Sequence, residues 1–112
     1  MDISFRPAKL EKTVATPRDV KKHYGDNTKS IIARLEDLAS APNLEVMRTL
    51  PGKTHELKGD RAGELGIHVS ANHRITFRPS HDPLPRKADG SLDWQQVTAI
   101  VIDEINEDYH RR

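Results

Sequence analysis

The segment Val97-Thr98-Ala99-Ile100-Val101-Ile102-Asp103-Glu104-Ile105 constrains this chain more than any other. It is apolar on both alternating faces through most of its length and rich in β-branched residues, which pack well in extended backbone. Such a strand belongs in the interior of a sheet, with helices covering one side, because an exposed face would leave apolar surface in water. The expected strand spans 97–105. Shortly beyond it stand Asp108, Tyr109 and His110, a carboxylate, a phenol and an imidazole held on a rigid support.

A chain of 112 residues holds one modest core, so a single domain over 1–112 is expected. No apolar run approaches the ~18 residues of a membrane span. The start, Met1-Asp2-Ile3-Ser4-Phe5-Arg6, lacks a secretion-type apolar segment, which makes a cytoplasmic location without membrane contact the expectation. The absence of cysteine excludes disulfides, thiolate catalysis and the common zinc-finger patterns. Aromatic residues at 4% are too few for a multi-base stacking platform. A net charge of +1 is small for a protein that captures free nucleic acid, although charge can still be segregated on the surface. Histidine is unevenly placed: His55, His68, His73, His81 and His110 all lie from residue 55 onward.

Ile3 and Phe5 alternate with polar neighbours and read as a short first strand. Thr16-Pro17-Arg18-Asp19 is a helix start, with Thr as cap and Pro in the first turn, and that helix stops at Gly25. Asp26-Asn27-Thr28 offers caps for a second helix, whose Ile31, Ile32, Leu35, Leu38 and Ala39 share a face and which ends at Ala41-Pro42-Asn43. Leu44 to Pro51 is a connector with room for a helical turn. The period then becomes two: Leu65, Ile67 and Val69 alternate with Gly66, His68 and Ser70, and after an Ala71-Asn72 turn Ile75 and Phe77 alternate with Arg74, Thr76 and Arg78. That hairpin has one core face and one polar, basic face. A long loop over 79–96 follows, anchored through Trp94. The order is β-α-α-β-β-β, an α+β domain with a helical hairpin packed on a small, mainly antiparallel twisted sheet.

Three clusters carry candidate chemistry. In His55-Glu56-Leu57-Lys58-Gly59-Asp60, Lys58 and the backbone N–H groups after it can hold an anion, or form a plain solvated turn. Arg74 and Arg78 share a strand face, where they can grip a phosphate or pair with Glu64 or another acid. Asp108-Tyr109-His110 offers an imidazole that exchanges protons near neutrality, or the polar residues common at chain ends. No histidine pair has the i, i+4 spacing of a helical metal site, and no serine sits in a nucleophile elbow. Neither a metal nor a cofactor is expected.

At these residues the chain resembles the RelE/ParE toxin superfamily of type II toxin–antitoxin systems, in particular its HigB-like "killer protein" branch. The likeness lies in His55-Glu56-Leu57-Lys58-Gly59-Asp60, the strand from Gly63 to Val69, His73-Arg74-Ile75-Thr76-Phe77 and the terminal Asp-Tyr-His, in that order. It implies a RelE-like fold and a ribosome-dependent mRNA endoribonuclease, an mRNA interferase, that works without metal. It also implies a 70S ribosome and mRNA as partners, and neutralisation by a cognate helix-turn-helix, HigA-like antitoxin. Carried over by position, His55 and His110 are acid and base in unassigned order, and Lys58 and Arg74 hold phosphate oxygens. Asp108 orients an imidazole or touches RNA, and Tyr109 packs on or hydrogen-bonds to substrate. Two features stand apart from the branch: the long 79–96 loop, and an acidic run, Glu104-Ile105-Asn106-Glu107-Asp108, expected to repel phosphate. The alternative class keeps the fold and changes the target, as a ParE-like DNA gyrase inhibitor or a non-catalytic interaction module. A DNA-binding repressor is disfavoured, because the two helices read as a packed hairpin without a base-reading helix.

Overall fold

The computed structural model describes residues 1–109, so His110 of the terminal motif lies outside the described residues. The elements are β1 (Asp2–Phe5), α1 (Pro17–Tyr24), α2 (Thr28–Ser40), β2 (His55–Glu56), β3 (Leu65–His68), β4 (His73–Pro79) and β5 (Ala99–Asp108). Short 3-10 segments join them, including Leu44–Thr49 in the connector after α2. Among the described residues no helix is long and apolar enough to cross a membrane.

Local chemistry explains the helical hairpin. The Thr16 hydroxyl accepts from the Asp19 N–H at 3.1 Å and caps α1 behind Pro17, and Gly25 ends it with a φ of 57°. α2 buries Ile31 and Leu38 completely, with Ile32 and Leu35 partly covered. Ala39, expected on the same face, is exposed, because it lies about 100° around the helix from Leu38. Asn27 precedes α2 without capping it; its amide instead donates to Asn106 Oδ1 at 2.9 Å and ties the hairpin to the end of β5.

The five strands run in the order β1-β5-β4-β3-β2, with β1 parallel to β5 and the remaining pairs antiparallel. β2, which the sequence pattern does not show, pairs His55 with Gly66 and Glu56 with Leu65; two residues are too few to display a period. Ile67, Ile75, Phe77 and Ile102 face the helices and are fully buried, forming the core with Ile31, Leu38, Leu44 and Met47. β5 is the interior strand expected, shifted toward the C-terminus. Val97 is held outside it, with its carbonyl accepting from Leu44 N–H, while Glu107 and Asp108 are drawn in opposite Arg74 and His73. Opposite charges across a strand pair keep that acidic end in register.

β5 also shifts register against β4 on both sides of Thr76. Such bulges let neighbouring residues serve the same face. Asp103 and Glu104 therefore both reach the outer face, accepting from Arg78 Nε and Thr76 Oγ1 at 2.9 Å each. The long loop returns through a small turn bridged at Arg86 and Leu92. Trp94 pins it: the indole is buried, its N–H donates to Glu56 at 3.0 Å, and the Arg48 guanidinium lies 3.7 Å from its ring centroid.

Candidate functional site

The outer sheet face, away from the helices, collects the polar side chains of β2, β3, β4 and β5. His55, His68 and Arg74 meet there because their backbone positions are cross-strand neighbours, His55 opposite Gly66 and His68 opposite Arg74. Gly66 leaves the room: a Cβ on it would lie 3.2 Å from Arg74 Cδ and 3.7 Å from His55 Cε1. The His55 and His68 rings stack at 5.6 Å between centroids with 23° between planes. Tyr109 closes the group, its ring 5.5 Å from His68 and 4.6 Å from the Arg74 guanidinium.

Hydrogen bonds assign the tautomers. His55 Nδ1 lies 2.8 Å from the Lys53 carbonyl, which can only accept, so this nitrogen carries a proton. Nε2 is then the lone-pair nitrogen of the neutral ring, as a general base requires. The Tyr109 hydroxyl donates to the Ala71 carbonyl at 3.0 Å and lies 3.0 Å from His68 Nδ1. With the one phenolic hydrogen engaged on Ala71, His68 Nδ1 donates to the phenol oxygen.

Behind this group runs an ion network that the acidic run of the sequence did not foreshadow. Glu107 accepts from Arg74 Nε at 2.7 Å and from Arg61 Nη1. Arg61 also binds Glu64 with two nitrogens and Glu104 with one. Its hydrogen bond to Glu64 is the chief reason its guanidinium is held even more firmly protonated than usual. The same bond keeps the Glu64 carboxyl below its ordinary range. Burial alone would raise the Glu107 carboxyl, but the hydrogen bonds from Arg61 and Arg74 outweigh it and lower it. Arg78 is likewise strengthened by its hydrogen bond to Asp103. The expected repulsion between the acidic run and a phosphate is thus offset, because Glu104 and Glu107 spend their charge on arginines.

The other expected site residues are placed as follows. Lys58 is exposed, and its ammonium makes no hydrogen bond or ion pair among the described residues. Asp108 faces His73 at 3.9 Å rather than the His55/His68 stack. His73 in turn lies 3.0 Å from Ser70 Oγ. His68, Arg61 and Glu107 are residues that motif reasoning leaves out. The alternation around the Ala71-Asn72 turn already puts His68 opposite Arg74, whereas the Arg61 contacts, 43 and 46 residues away along the chain, leave no local signal. Beside Tyr109 and His68 opens a cleft of about 490 Å³ whose other walls include Arg34, Gly52 and Lys53.

No protein-family model matches the chain, and no curated protein sequence matches it. Among solved structures it is similar to YoeB from Staphylococcus aureus, seen as a dimer, with 17% identity, a TM-score of 0.55, and 96% of this chain and 95% of that one covered. A YoeB–YefM complex from the same organism gives 15% identity, a TM-score of 0.56 and the same coverage. A YoeB/ParE toxin from Agrobacterium tumefaciens gives 15% identity, a TM-score of 0.48, and 95% of this chain and 96% of that one. At such identities the likeness is one of fold. The helical hairpin on a five-stranded sheet is the RelE-like arrangement that YoeB toxins share, and the neighbours do not single out the HigB-like branch.

Proposed function

We propose that the protein is the toxin of a type II toxin–antitoxin pair and cuts mRNA on the ribosome by metal-independent attack of a ribose 2′-OH. The observation that carries this reading is the stack of His55 on His68, with Tyr109 and Arg74 completing the constellation. In the reaction, His55 Nε2 takes the 2′-OH proton and O2′ attacks the adjacent phosphorus. The P–O5′ bond breaks, and an acid returns a proton to O5′, leaving a 2′,3′-cyclic phosphate and a 5′-hydroxyl. His110 is the proposed acid, with His68 next in line. Base and acid would each contribute roughly 10²–10⁴-fold. Arg74, tied through Nε, would turn its terminal nitrogens to the phosphoryl oxygens as charge builds there. A YoeB of similar fold forms a complex with YefM, which supports a partner protein in the role of antitoxin; a HigA-like, helix-turn-helix identity is the reading its sequence resemblance favours. The site of action is then the cytoplasm.

The test is in vitro translation of a defined mRNA followed by primer extension, with His55→Ala and His110→Ala beside the wild type. Cuts within codons that require ribosomes and vanish in both variants would establish the reaction. Intact mRNA with folded wild-type protein would end it. A second reading is favoured by one observation: Arg61, Arg74 and Arg78, the arginines of the ion network on the outer sheet face among the described residues, are each paired to a carboxylate. In that case the face is structural and the chain is a ParE-like gyrase binder or an interaction module, and gyrase supercoiling rather than mRNA would respond to it.

A further inference from the structure

The charge on the two sides of the His68–Tyr109 pair is unequal. On the outer sheet face, Arg61, Arg74 and Arg78 are bound to Glu64, Asp103, Glu104 and Glu107. The cleft on the other side is lined, among the described residues, by Arg34 and Lys53 and by no carboxylate. Arg34 engages Asp37 through Nε at 3.1 Å, and its two terminal nitrogens make no hydrogen bond among the described residues. The Lys53 ammonium is exposed and makes no ion pair among them. A polyanion approaching this end of the molecule therefore finds in the cleft the Lys53 ammonium, without an ion pair among the described residues, and the open terminal nitrogens of Arg34, whose charge Asp37 shares. Beside it lies a sheet network whose arginines are each held by one or more carboxylates.

The backbone that presents Lys53 is held under constraint. Gly52 has a φ of 107° and is pressed onto β3, where a Cβ would sit 2.5 Å from Ile67 Cγ1 and 3.1 Å from Arg34 Cδ. Its carbonyl accepts from His68 N–H at 2.8 Å. Lys53 itself has a φ of 50°, a left-handed conformation that is strained for a residue with a Cβ. Its carbonyl is the one that His55 Nδ1 holds at 2.8 Å. One strained residue thus sets the tautomer of the candidate base through its carbonyl and offers a cation to the cleft through its side chain. The cleft's 490 Å³ lies within the roughly 300–1,000 Å³ of small-ligand sites, enough for one nucleotide unit.

We infer that this cleft is a second nucleotide subsite, in which Lys53 and Arg34 bind the phosphodiester next to the one that is cut. The inference rests on the nuclease reading for its ligand and adds where the neighbouring nucleotide lies: over α2 and the Gly52-Lys53 turn, beside the sheet-face site of His55 and Arg74. The two cations act on the backbone and carry no base preference.

The test is an NMR titration of the ¹⁵N-labelled full chain with a tetraribonucleotide whose 2′-hydroxyls are methylated, so that it binds without being cut. Wild type is compared with Lys53→Gly, which keeps the left-handed backbone and the carbonyl while removing the ammonium, and with Lys53→Glu. The expected result is amide shifts at Gly52, Lys53, Arg34 and Ser70, about tenfold weaker binding in Lys53→Gly with a melting temperature no lower than that of the wild type, and weaker still in Lys53→Glu. The slope of log affinity against log salt should fall by about 0.7 for the lost contact. Shifts confined to the outer sheet face, equal binding by the variants, or no shifts at all would overturn the subsite. Shifts in the cleft with a hexaglutamate peptide but not with the oligoribonucleotide would overturn it in favour of an acidic protein segment. The translation assay separates the two ideas. Cuts without cleft binding leave the nuclease reading standing alone, and cleft binding without cuts leaves the subsite standing alone.

Discussion

Arg74 stands where the proposed catalysis and the stability of the fold are hardest to separate. Its side chain is 13% exposed, bonded to Glu107 and laid over Tyr109. Arg74→Lys keeps the charge but loses the planar fork, the stacking and one hydrogen bond. We expect it to fold with a loss of about 1–3 kcal/mol in urea unfolding and to cut mRNA poorly. Full cleavage by Arg74→Lys would reduce the residue to a structural ion pair. Tyr109→Phe isolates a second term: the ring and its contact with Arg74 remain, while the hydroxyl that joins His68 to Ala71 is gone. The expected cost is about 0.5–1.5 kcal/mol of stability, with the pH profile of cleavage displaced because His68 loses the partner that fixes its proton. An unchanged profile would remove His68 from the proton path. Gly52 is constrained by space as well as by φ, so Gly52→Ala should lower the melting temperature markedly, with Ile67 forced to move.

At the scale of elements, the 79–96 loop behaves as a built part of the fold. Its return is fixed by Trp94, 2% exposed, with a hydrogen bond to Glu56 beside the candidate base His55. His81 adds a second tie, its Nε2 accepting from the Thr98 and Ala99 N–H groups at 3.0 and 3.3 Å where β5 begins. Removing the indole should cost about 3–5 kcal/mol, measured for Trp94→Ala by far-ultraviolet circular dichroism in urea. Trp94→Phe fills most of the space and should lose only about 1 kcal/mol, the worth of the hydrogen bond. A small effect of the alanine change would mean that the loop is not held by the indole in solution.

The whole molecule carries its acidic residues in a way that makes stability depend on pH. Glu64 and Glu107 are both held below their ordinary value of 4.5 in the folded chain. The unfolded chain therefore binds protons first as pH falls, and the folded state loses its advantage. This contribution is fully present above about pH 4.5 and disappears as the pH drops through the lower folded values. The melting temperature should be level between neutrality and pH 5 and fall steeply below 4.5. A Glu64→Gln/Glu107→Gln chain should start lower at pH 7, with Arg61 and Arg74 losing their main partners, and show a shallower acid limb. Equal acid limbs in the two chains would place the acid sensitivity elsewhere.

The sequence by itself determined the elements that local chemistry writes. The Thr16 cap, the Gly25 stop, the apolar stripe of α2, the Ala71-Asn72 turn and the interior strand near the C-terminus are each set by neighbours within a few residues. It also marked His55, Arg74 and Tyr109, which the fold brings to one face. What only the tertiary structure decided was who compensates whom. Glu107 was legible as an acid near the proposed phosphate site, but the two arginines that neutralise it come from β4 and from a turn 46 residues earlier. β2 is too short to show a period and exists because β3 offers it an edge. His68 enters the site because β-pairing sets it between His55 and Tyr109, and Lys53 matters because Gly52 is pressed against Ile67. Short-range rules act through sequence spacing and can be read along the chain, whereas charge compensation and close approach depend on distances that exist only after the sheet has closed.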